Sequence, residues 1–384
     1  MAGDIRETLE RLVRPGCTVA LADGVGSPLG LCADLSAVAR AAGGVRLIVG
    51  WCPGAPATLD LSAFADVRAF MPGHGLSEAV AAGAVRYVPA YLSQLPALFA
   101  GVWRPDVLLL AVRETSRGLS LGSEVSWINV AARAAGTCIA ELNNHLPDAV
   151  RRNALEGVDL VVVSESDRSP VSVPGRPAGP VYRQIGAELA RLVAPGAAVQ
   201  FGPGPIGAAF LAALEIPVRI DSGIATDSLV DLDARGLLIG EPVATYLSGT
   251  ATLYDWAEGR GILDGIEVTH DQSRLASAGL VAVNTALQID LLGQVGLDGP
   301  AEGLLSGIGG HADYAAAASR SVNGVSVIAL PSHRRGQPTL VDRLSIPVST
   351  PRSVVDVVVT EHGKADLRGL SDAEREKAIS ALFR

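Results

Sequence analysis

The chain has 384 residues, of which 48% are hydrophobic and 18% are charged. This composition excludes a largely disordered chain, and the length suffices for two α/β domains with buried cores. The formal net charge of −9 argues against nucleic acid as a general partner.

The cysteines and the apolar runs indicate where in the cell the protein is expected. The four cysteines form no C-x-x-C pair, which favours buried free thiols in a reducing compartment over a metal site. No apolar run reaches the roughly 18 residues that a membrane-spanning helix needs, and the N-terminus reads as a helix start rather than a signal peptide. We expect a cytoplasmic protein with no membrane partner and no metal.

Short apolar runs alternate with helical segments along both halves of the chain. Helices are predicted at residues 8–13, 36–42, 188–192 and 371–382. Buried strands are predicted at residues 46–50, 107–112, 137–142, 158–163, 197–201, 217–220, 280–284, 325–330 and 354–359. Because these runs lack a polar–apolar alternation, they favour mostly parallel sheets covered on both faces, which is an α/β fold.

The beginning of the chain recurs at an offset of 180 residues. Between Ile5 and Leu31, ten of twenty-seven positions are identical to their counterparts. The stretch from Ser164 to Pro180 carries four prolines, which disfavour both helix and central strand. The sequence therefore predicts two tandem related α/β domains, at residues 1–178 and 179–384.

Glycine loops follow the first strand of each predicted domain. The loop from Gly24 to Gly30 stands between a strand and a helix, but its spacing differs from the G-x-G-x-x-G of a dinucleotide site. Its counterpart, which contains Gly204 and Gly207, has prolines where a phosphate site needs N–H donors. A structural turn, a ligand contact at a cleft and, more remotely, a nicotinamide site all remain open.

A more specific glycine string runs from Ser306 to His311. Gly307, Gly309 and Gly310 let the backbone approach a ligand closely, and their N–H groups are candidates to stabilise the oxyanion of an attacked thioester. A tight turn is the alternative. His311 is a candidate general base, or else a packing residue.

Ordered motifs across the chain resemble the acetyl-CoA hydrolase/4-hydroxybutyrate CoA-transferase family. The motifs lie at residues 85–93, 139–147, 226–232, 247–255, 283–290, 306–314, 328–332 and 357–370. The resemblance implies two related α/β domains of the CoA-transferase type, coenzyme A as substrate or carrier, and a homodimer.

The same resemblance implies a nucleophilic glutamate shortly before Asp227. Its carboxylate would attack the acyl-CoA and then carry CoA as a glutamyl thioester. Aligned on Asp227 and Asp231, that position is Gly223, so the nucleophile that the resemblance implies is missing here.

Three interpretations follow from Gly223. Asp221 or Glu124 replaces the glutamate, although the aspartate side chain is one methylene shorter. Alternatively, the covalent step is absent, and Glu124, Asp221 or His311 acts as a general base for attack by water or a small acceptor. As a third possibility, the protein binds acyl-CoA, or an acyl-carrier thioester, without turnover. Arg334 and Arg335 are candidates to bind the CoA phosphates, with a solvated loop as the alternative.

Overall fold

The computed structural model describes residues 5–53, 57–299 and 307–383, which form two compact units. The first unit comprises Met1–Val173, Thr245–Glu267 and Ala301–Gly309. The second comprises Pro174–Ala244, Val268–Pro300 and Gly310–Arg384. The units are therefore interleaved along the chain. The domain boundary between residues 178 and 179, which was inferred from the sequence repeat, stays a prediction. In the part of the chain that the structure describes, no helix is long and apolar enough to span a membrane.

The first unit is an α/β layer structure. Its helices are α1 (Ile5–Leu12), α2 (Cys32–Ala42), α3 (Gly73–Ala81), α4 (Leu95–Ala100), α5 (Ile128–Ala134) and α9 (Ala251–Ala257), and α10 (Ile266–Thr269) begins in it. Its strands are β1 (Thr18–Leu21), β2 (Arg46–Val49), β3 (Asp66–Ala69), β4 (Arg86–Tyr87), β5 (Val107–Thr115), β6 (Gly118–Ser120), β7 (Thr137–Leu142), β8 (Leu160–Glu165) and β12 (Tyr246–Leu247).

The main sheet of the first unit has the strand order β4-β3-β2-β1-β5-β7-β8. All neighbours along this path pair in parallel, and β6 adds an antiparallel hairpin to β5. Strand β1 is buried along its whole length, as the continuous apolar run predicted. The expectation of an α/β fold with mostly parallel sheets is confirmed.

The second unit repeats this architecture. Its helices are α6 (Pro180–Ala190), α7 (Pro205–Ala213), α8 (Asp227–Ala234), α11 (Gln272–Ser277), α12 (His311–Arg320) and α13 (Asp372–Leu382). Its strands are β9 (Ala198–Phe201), β10 (Arg219–Ile220), β11 (Ile224–Ala225), β13 (Leu280–Thr285), β14 (Gln288–Asp290), β15 (Val295–Gly296), β16 (Val325–Ala329), β17 (His333–Arg334), β18 (Gln337–Pro338), β19 (Leu340–Val341), β20 (Val357–Thr360) and β21 (Gly363–Asp366).

The main sheet of the second unit runs β10-β9-β13-β16-β20-β21. It is parallel except for the terminal hairpin between β20 and β21. The helix predicted at residues 188–192 was misplaced, since α6 begins at Pro180. Proline is favoured at the first helical position, because its missing N–H has no partner there anyway.

The two copies of the sequence repeat share one local form. A helix leads into a Pro-Gly turn and then into a buried strand, and β1 and β9 begin 180 residues apart. Gly16 and Gly196 occupy the same place in the two turns, with φ angles of 77° and 75°. Each glycine N–H donates to a carbonyl at the end of the following connection, Gly43 in one unit and Pro217 in the other.

We expect Gly16→Ala and Gly196→Ala each to lower the free energy of unfolding by about 1 kcal/mol, because an L side chain strains a left-handed backbone. Neither added methyl group meets any atom within 4 Å, so the cost is conformational rather than steric. Urea denaturation measures it, with Gly175→Ala as the control at an equally open position outside the left-handed region. Equal stability of all three variants would contradict this account.

Candidate functional site

Polar side chains gather where parallel strands end. Asp23 and Trp51 follow β1 and β2 in the first unit, and Asp221 directly follows β10 in the second. In parallel α/β sheets, ligands bind outside the carboxyl ends of the strands. Each unit therefore presents its own candidate cluster at this edge of its sheet.

The acidic cluster of the first unit consists of Asp23, Glu124 and Tyr246. All three are buried, with exposed fractions of 0%, 4% and 1%. The Gly26 N–H donates to Oε2 of Glu124 at 3.2 Å. The Tyr246 hydroxyl lies 3.1 and 3.0 Å from the two Asp23 oxygens, and the Trp51 N–H donates to Asp23 Oδ2 at 2.7 Å.

Glycines make room for the two carboxylates. A Cβ on Gly24 would lie 2.5 Å from Oε2 of Glu124, and one on Gly26 would lie 2.7 Å from Oε1. A Cβ on Gly50 would lie 1.9 Å from Asp23 Oδ2. The loop that begins at Gly24 therefore encloses an acidic side chain of its own unit, which explains its glycines without a dinucleotide.

Burial sets the protonation of this cluster. It raises the pKa of Glu124 to about 8, against the opposing effect of the Gly26 N–H. It also raises the pKa of Asp23 to about 6. A carboxyl group with a pKa close to the working pH can both donate and accept a proton, which is the property that general acid–base catalysis requires.

The carboxylate of Asp221 is held in an ion pair within the second unit. Arg274 donates from Nη1 to Oδ2 at 2.5 Å and from Nη2 to Oδ1 at 2.9 Å. The side chains of Asp221 and Arg274 are 10% and 31% exposed. Both oxygens of Asp221 are thus engaged by one guanidinium in the bidentate geometry that holds a carboxylate most firmly.

A second group of polar atoms surrounds Gly223, and we call Gly223, His270, Gly310 and Tyr314 the Gly223 niche. A Cβ on Gly223 would lie 3.7 Å from Nε2 of His270 and 3.8 Å from the Tyr314 hydroxyl oxygen. The two rings lie 4.9 Å apart between centroids. Gly310 packs closer, since a Cβ there would lie 2.2 Å from His270 Nε2.

His311 begins α12 and is buried, with 7% of its surface exposed. Neither ring nitrogen has a hydrogen-bond partner among the described residues. Burial lowers the pKa of His311 to about 4, so the imidazole is neutral near neutral pH. A base of such low pKa accepts a proton less readily than Glu124 does.

Comparison with known proteins shows what the chain is similar to. Residues 249–382 match the family described as acetyl-CoA hydrolase/transferase C-terminal domain. The 4-hydroxybutyrate coenzyme A transferase of Clostridium kluyveri is 29% identical over 332 residues, which cover 81% of this chain and 77% of that protein. The acetyl-CoA hydrolase of Saccharomyces cerevisiae is 31% identical over 121 residues, 29% of this chain and 22% of that protein. Residues 249–382 thus carry the acetyl-CoA hydrolase/transferase C-terminal domain, and most of the chain is similar to CoA-transferases.

The fold of the chain agrees with a solved structure. RipA from Yersinia pestis superposes with a TM-score of 0.86 at 24% identity, over 99% of this chain and 93% of RipA. The named relatives also confirm the expectation of an enzyme of the CoA-transferase and acyl-CoA hydrolase type.

The residues of the predicted oxyanion string belong to different units. Ser306 lies outside the described residues. Gly307 and Gly309 belong to the first unit, where a Cβ on Gly307 would lie 2.2 Å from the Phe70 carbonyl oxygen. Gly310 belongs to the second unit and precedes the first turn of α12. An oxyanion role for these glycines stays a prediction, and close packing accounts for Gly307 and Gly310.

The other predicted ligand residues all lie in the second unit. Gly204 precedes α7, and Gly207 packs against the backbone, since a Cβ there would lie 2.0 Å from the Gly202 carbonyl oxygen. Arg334 and Arg335 are exposed on the hairpin between β17 and β18, where Arg335 has a φ of 50°. Their role in binding CoA stays a prediction.

The four cysteines are buried free thiols, as the sequence predicted. Burial raises the pKa of Cys32 to about 12 and that of Cys138 to about 11, so these side chains stay protonated. No thiolate nucleophile is therefore available at Cys32 or Cys138 near neutral pH.

Several residues of the two clusters carried no assigned role in the sequence. The sequence could have indicated a role for Asp23, because an acidic residue between a buried strand and a glycine loop is unusual. No sequence pattern indicates a role for His270 or Arg274, because the residues that they contact are distant in sequence. Tyr314 lay within the motif at residues 306–314, but its position beside Gly223 arises only when α12 packs on the sheet.

Cavities of about 260 and 370 Å³ open elsewhere on the second unit. Ala197, Val281 and Val325 line the smaller one, and these residues stand at the amino ends of the strands. Asp221 and the Gly223 niche lie beyond the carboxyl ends. The cavities therefore do not mark the candidate site.

We expect Glu124→Gln to gain stability relative to the wild type as pH rises. Glu124 is protonated in the fold but ionises in the unfolded chain, so folding loses about 1.4 kcal/mol per pH unit between pH 4.5 and about 8. Glutamine does not titrate and still accepts from Gly26. Urea titrations across this range test the prediction, with the exposed Glu376→Gln as the control. Parallel curves for Glu124→Gln and the wild type would contradict it.

We expect Asp221 and Arg274 to be energetically coupled by on the order of 2 kcal/mol, because the guanidinium donates to both oxygens of a mostly buried carboxylate. A double-mutant cycle with Asp221→Asn and Arg274→Gln measures this coupling. The exposed pair of Arg352 and Asp372 supplies a control cycle with coupling close to zero. Additive effects at Asp221 and Arg274 would show that the carboxylate is not held by the guanidinium.

Proposed function

We propose that this protein acts on an acyl-CoA thioester and passes the acyl group to water or a small acceptor without a glutamyl-CoA intermediate. Similarity to CoA-transferases supports the thioester and CoA as the carrier. Gly223 carries the finer part of the proposal, because the family resemblance implies the nucleophilic glutamate at this position and glycine has no side chain to attack with.

The environment of Asp221 argues against its use as a substitute nucleophile. Attack on a thioester carbon needs a carboxylate oxygen that is free to approach, and both oxygens of Asp221 are hydrogen-bonded to Arg274. The shorter side chain adds to the difficulty, since a misplacement of about 1 Å can lower a rate by ~100-fold.

Glu124 is better suited to proton transfer than to covalent catalysis. Its raised pKa keeps most of the carboxyl group protonated near neutral pH, which weakens it as a nucleophile. The minor ionised form accepts a proton effectively because its pKa lies close to the working pH. We assign Glu124 the role of general acid–base.

Water or a small acceptor can attack the thioester directly, without a covalent bond between the acyl group and the protein. The water or acceptor oxygen forms a bond to the thioester carbon while its proton passes to ionised Glu124. The tetrahedral oxyanion then collapses, the C–S bond breaks, and the CoA sulfur leaves with the proton that Glu124 returns. The products are free CoA and an acid or acyl ester.

The remaining components of the proposal are expectations from the family. Gly307, Gly309 and Gly310 are candidates for oxyanion contacts, and Gly204, Gly207, Arg334 and Arg335 for CoA contacts. We also expect the protein to be a cytoplasmic homodimer. CoA transfer to a carboxylate acceptor is the second candidate, favoured by relatives such as the 4-hydroxybutyrate coenzyme A transferase.

Incubation with a panel of acyl-CoA esters tests the proposal, with free thiol and intact protein mass recorded together. We expect release of CoA with the protein mass unchanged. Glu124→Gln should lower the release rate by about 100-fold or more, because it removes the acid–base group, whereas Glu376→Gln should match the wild type.

Two results would contradict the proposal. A covalent CoA adduct on Asp221 or Glu124 would restore the transferase mechanism. Tight binding of acyl-CoA with no thiol release, with or without carboxylate acceptors, would identify a binding protein without turnover.

A further inference from the structure

Two buried polar atoms in the Gly223 niche lack hydrogen-bond partners among the described residues. These are Nε2 of His270 and the hydroxyl oxygen of Tyr314. The residues are 1% and 2% exposed. Buried polar atoms are nearly always hydrogen-bonded. Two such atoms without partners beside the same residue therefore indicate a site where a ligand supplies the missing hydrogen bonds.

Both side chains are neutral near neutral pH. Burial, aided by the charge of Arg274, lowers the pKa of His270 to about 3. Burial also raises the pKa of Tyr314 well above its usual range. His270 Nδ1 lies 2.8 Å from the Thr269 hydroxyl oxygen. When that hydroxyl donates to Nδ1, the imidazole proton is on Nε2, which faces Gly223.

Neither backbone conformation nor packing requires glycine at position 223. Its φ lies outside the left-handed region, and an added Cβ would meet its nearest atoms at ordinary contact distances of 3.7 and 3.8 Å. Gly310 differs, because a Cβ there would overlap His270. Gly223 is also partly exposed, so its surface beside the two polar atoms is accessible.

The charge balance of the niche selects the kind of oxygen that binds. The nearby Asp221 and Arg274 neutralise each other, and His270 and Tyr314 carry no charge. A free carboxylate would lose its hydration without meeting a net positive charge. A carbonyl oxygen costs less to bury, and two fixed donors stabilise the negative charge that it gains on attack.

We propose that the Gly223 niche binds the carbonyl oxygen of the acyl thioester, with His270 Nε2–H and Tyr314 O–H as hydrogen-bond donors. This inference rests on the proposed function and adds a side-chain oxyanion site to it. Glycine at position 223 leaves room for the substrate oxygen where a larger residue would place its own side chain.

Two unreactive analogues of one acyl-CoA separate carbonyl recognition from CoA binding. One is a ketone with a methylene group in place of the thioester sulfur, and the other is an S-alkyl thioether without a carbonyl group. Calorimetry should show the wild type binding the ketone about 10-fold more tightly, as expected for two added hydrogen bonds. This preference should shrink to about 3-fold in Tyr314→Phe, which removes a single oxygen atom.

Gly223→Ala supplies a second variant that keeps both donors. Its methyl group would occupy the space beside them, so the preference for the ketone should fall while thioether binding stays unchanged. Tyr182→Phe and Gly202→Ala are the controls within the same unit and should keep the wild-type preference. In turnover, Tyr314→Phe should lower kcat by about 100-fold with little change in KM.

The outcomes separate the two proposals. If the wild type binds both analogues equally, or Tyr314→Phe keeps the full preference, the niche does not bind the carbonyl oxygen, while the acyl-CoA function stands. If a small carboxylate such as propionate binds instead and is lost in Tyr314→Phe, the niche holds the acceptor acid and the inference is overturned. If neither analogue binds the wild type, both the acyl-CoA function and the inference fail.

Discussion

Burial of ionisable groups at the carboxyl ends of parallel strands is the constraint on which the chemistry of both units depends. A charge removed from water is costly unless a partner compensates it, so an unpaired group becomes neutral instead. Glu124 gains a pKa of about 8 in this way, and His270 a pKa of about 3. Asp221 is instead paired with Arg274, which donates hydrogen bonds to both of its carboxylate oxygens.

Close packing of glycine backbone makes this burial possible. Gly26 and Gly50 allow the chain to lie against the carboxyl groups of Glu124 and Asp23, and Gly310 allows it to lie against His270. Any larger residue at these positions would overlap a polar side chain. Gly223 differs, because an added Cβ there would meet its nearest atoms at ordinary contact distances, so packing does not require glycine.

The fold is shared with RipA, while the family resemblance implies a glutamate where this chain has Gly223. Because His270 and Tyr314 are neutral, the space beside Gly223 suits a carbonyl oxygen better than a charged carboxylate. We propose that these two donors bind an oxygen of the substrate. The proposed loss of covalent catalysis therefore requires no change in the sheets or helices that position these residues.

The sequence by itself determined the α/β class, the parallel strands, the turn repeated at Gly16 and Gly196, and the family resemblance. Local sequence patterns predict these features. Strands that are buried on both faces are continuously apolar, and positions with a positive φ angle favour glycine. The start of α6 was misjudged, because a proline read as a linker can equally open a helix. Only the tertiary structure decided that Arg274 holds Asp221, that Glu124 lies against the Gly24 loop, and that His270 and Tyr314 meet at Gly223. These contacts join residues that are distant in sequence, and the resulting pKa values depend on burial, which no local pattern records.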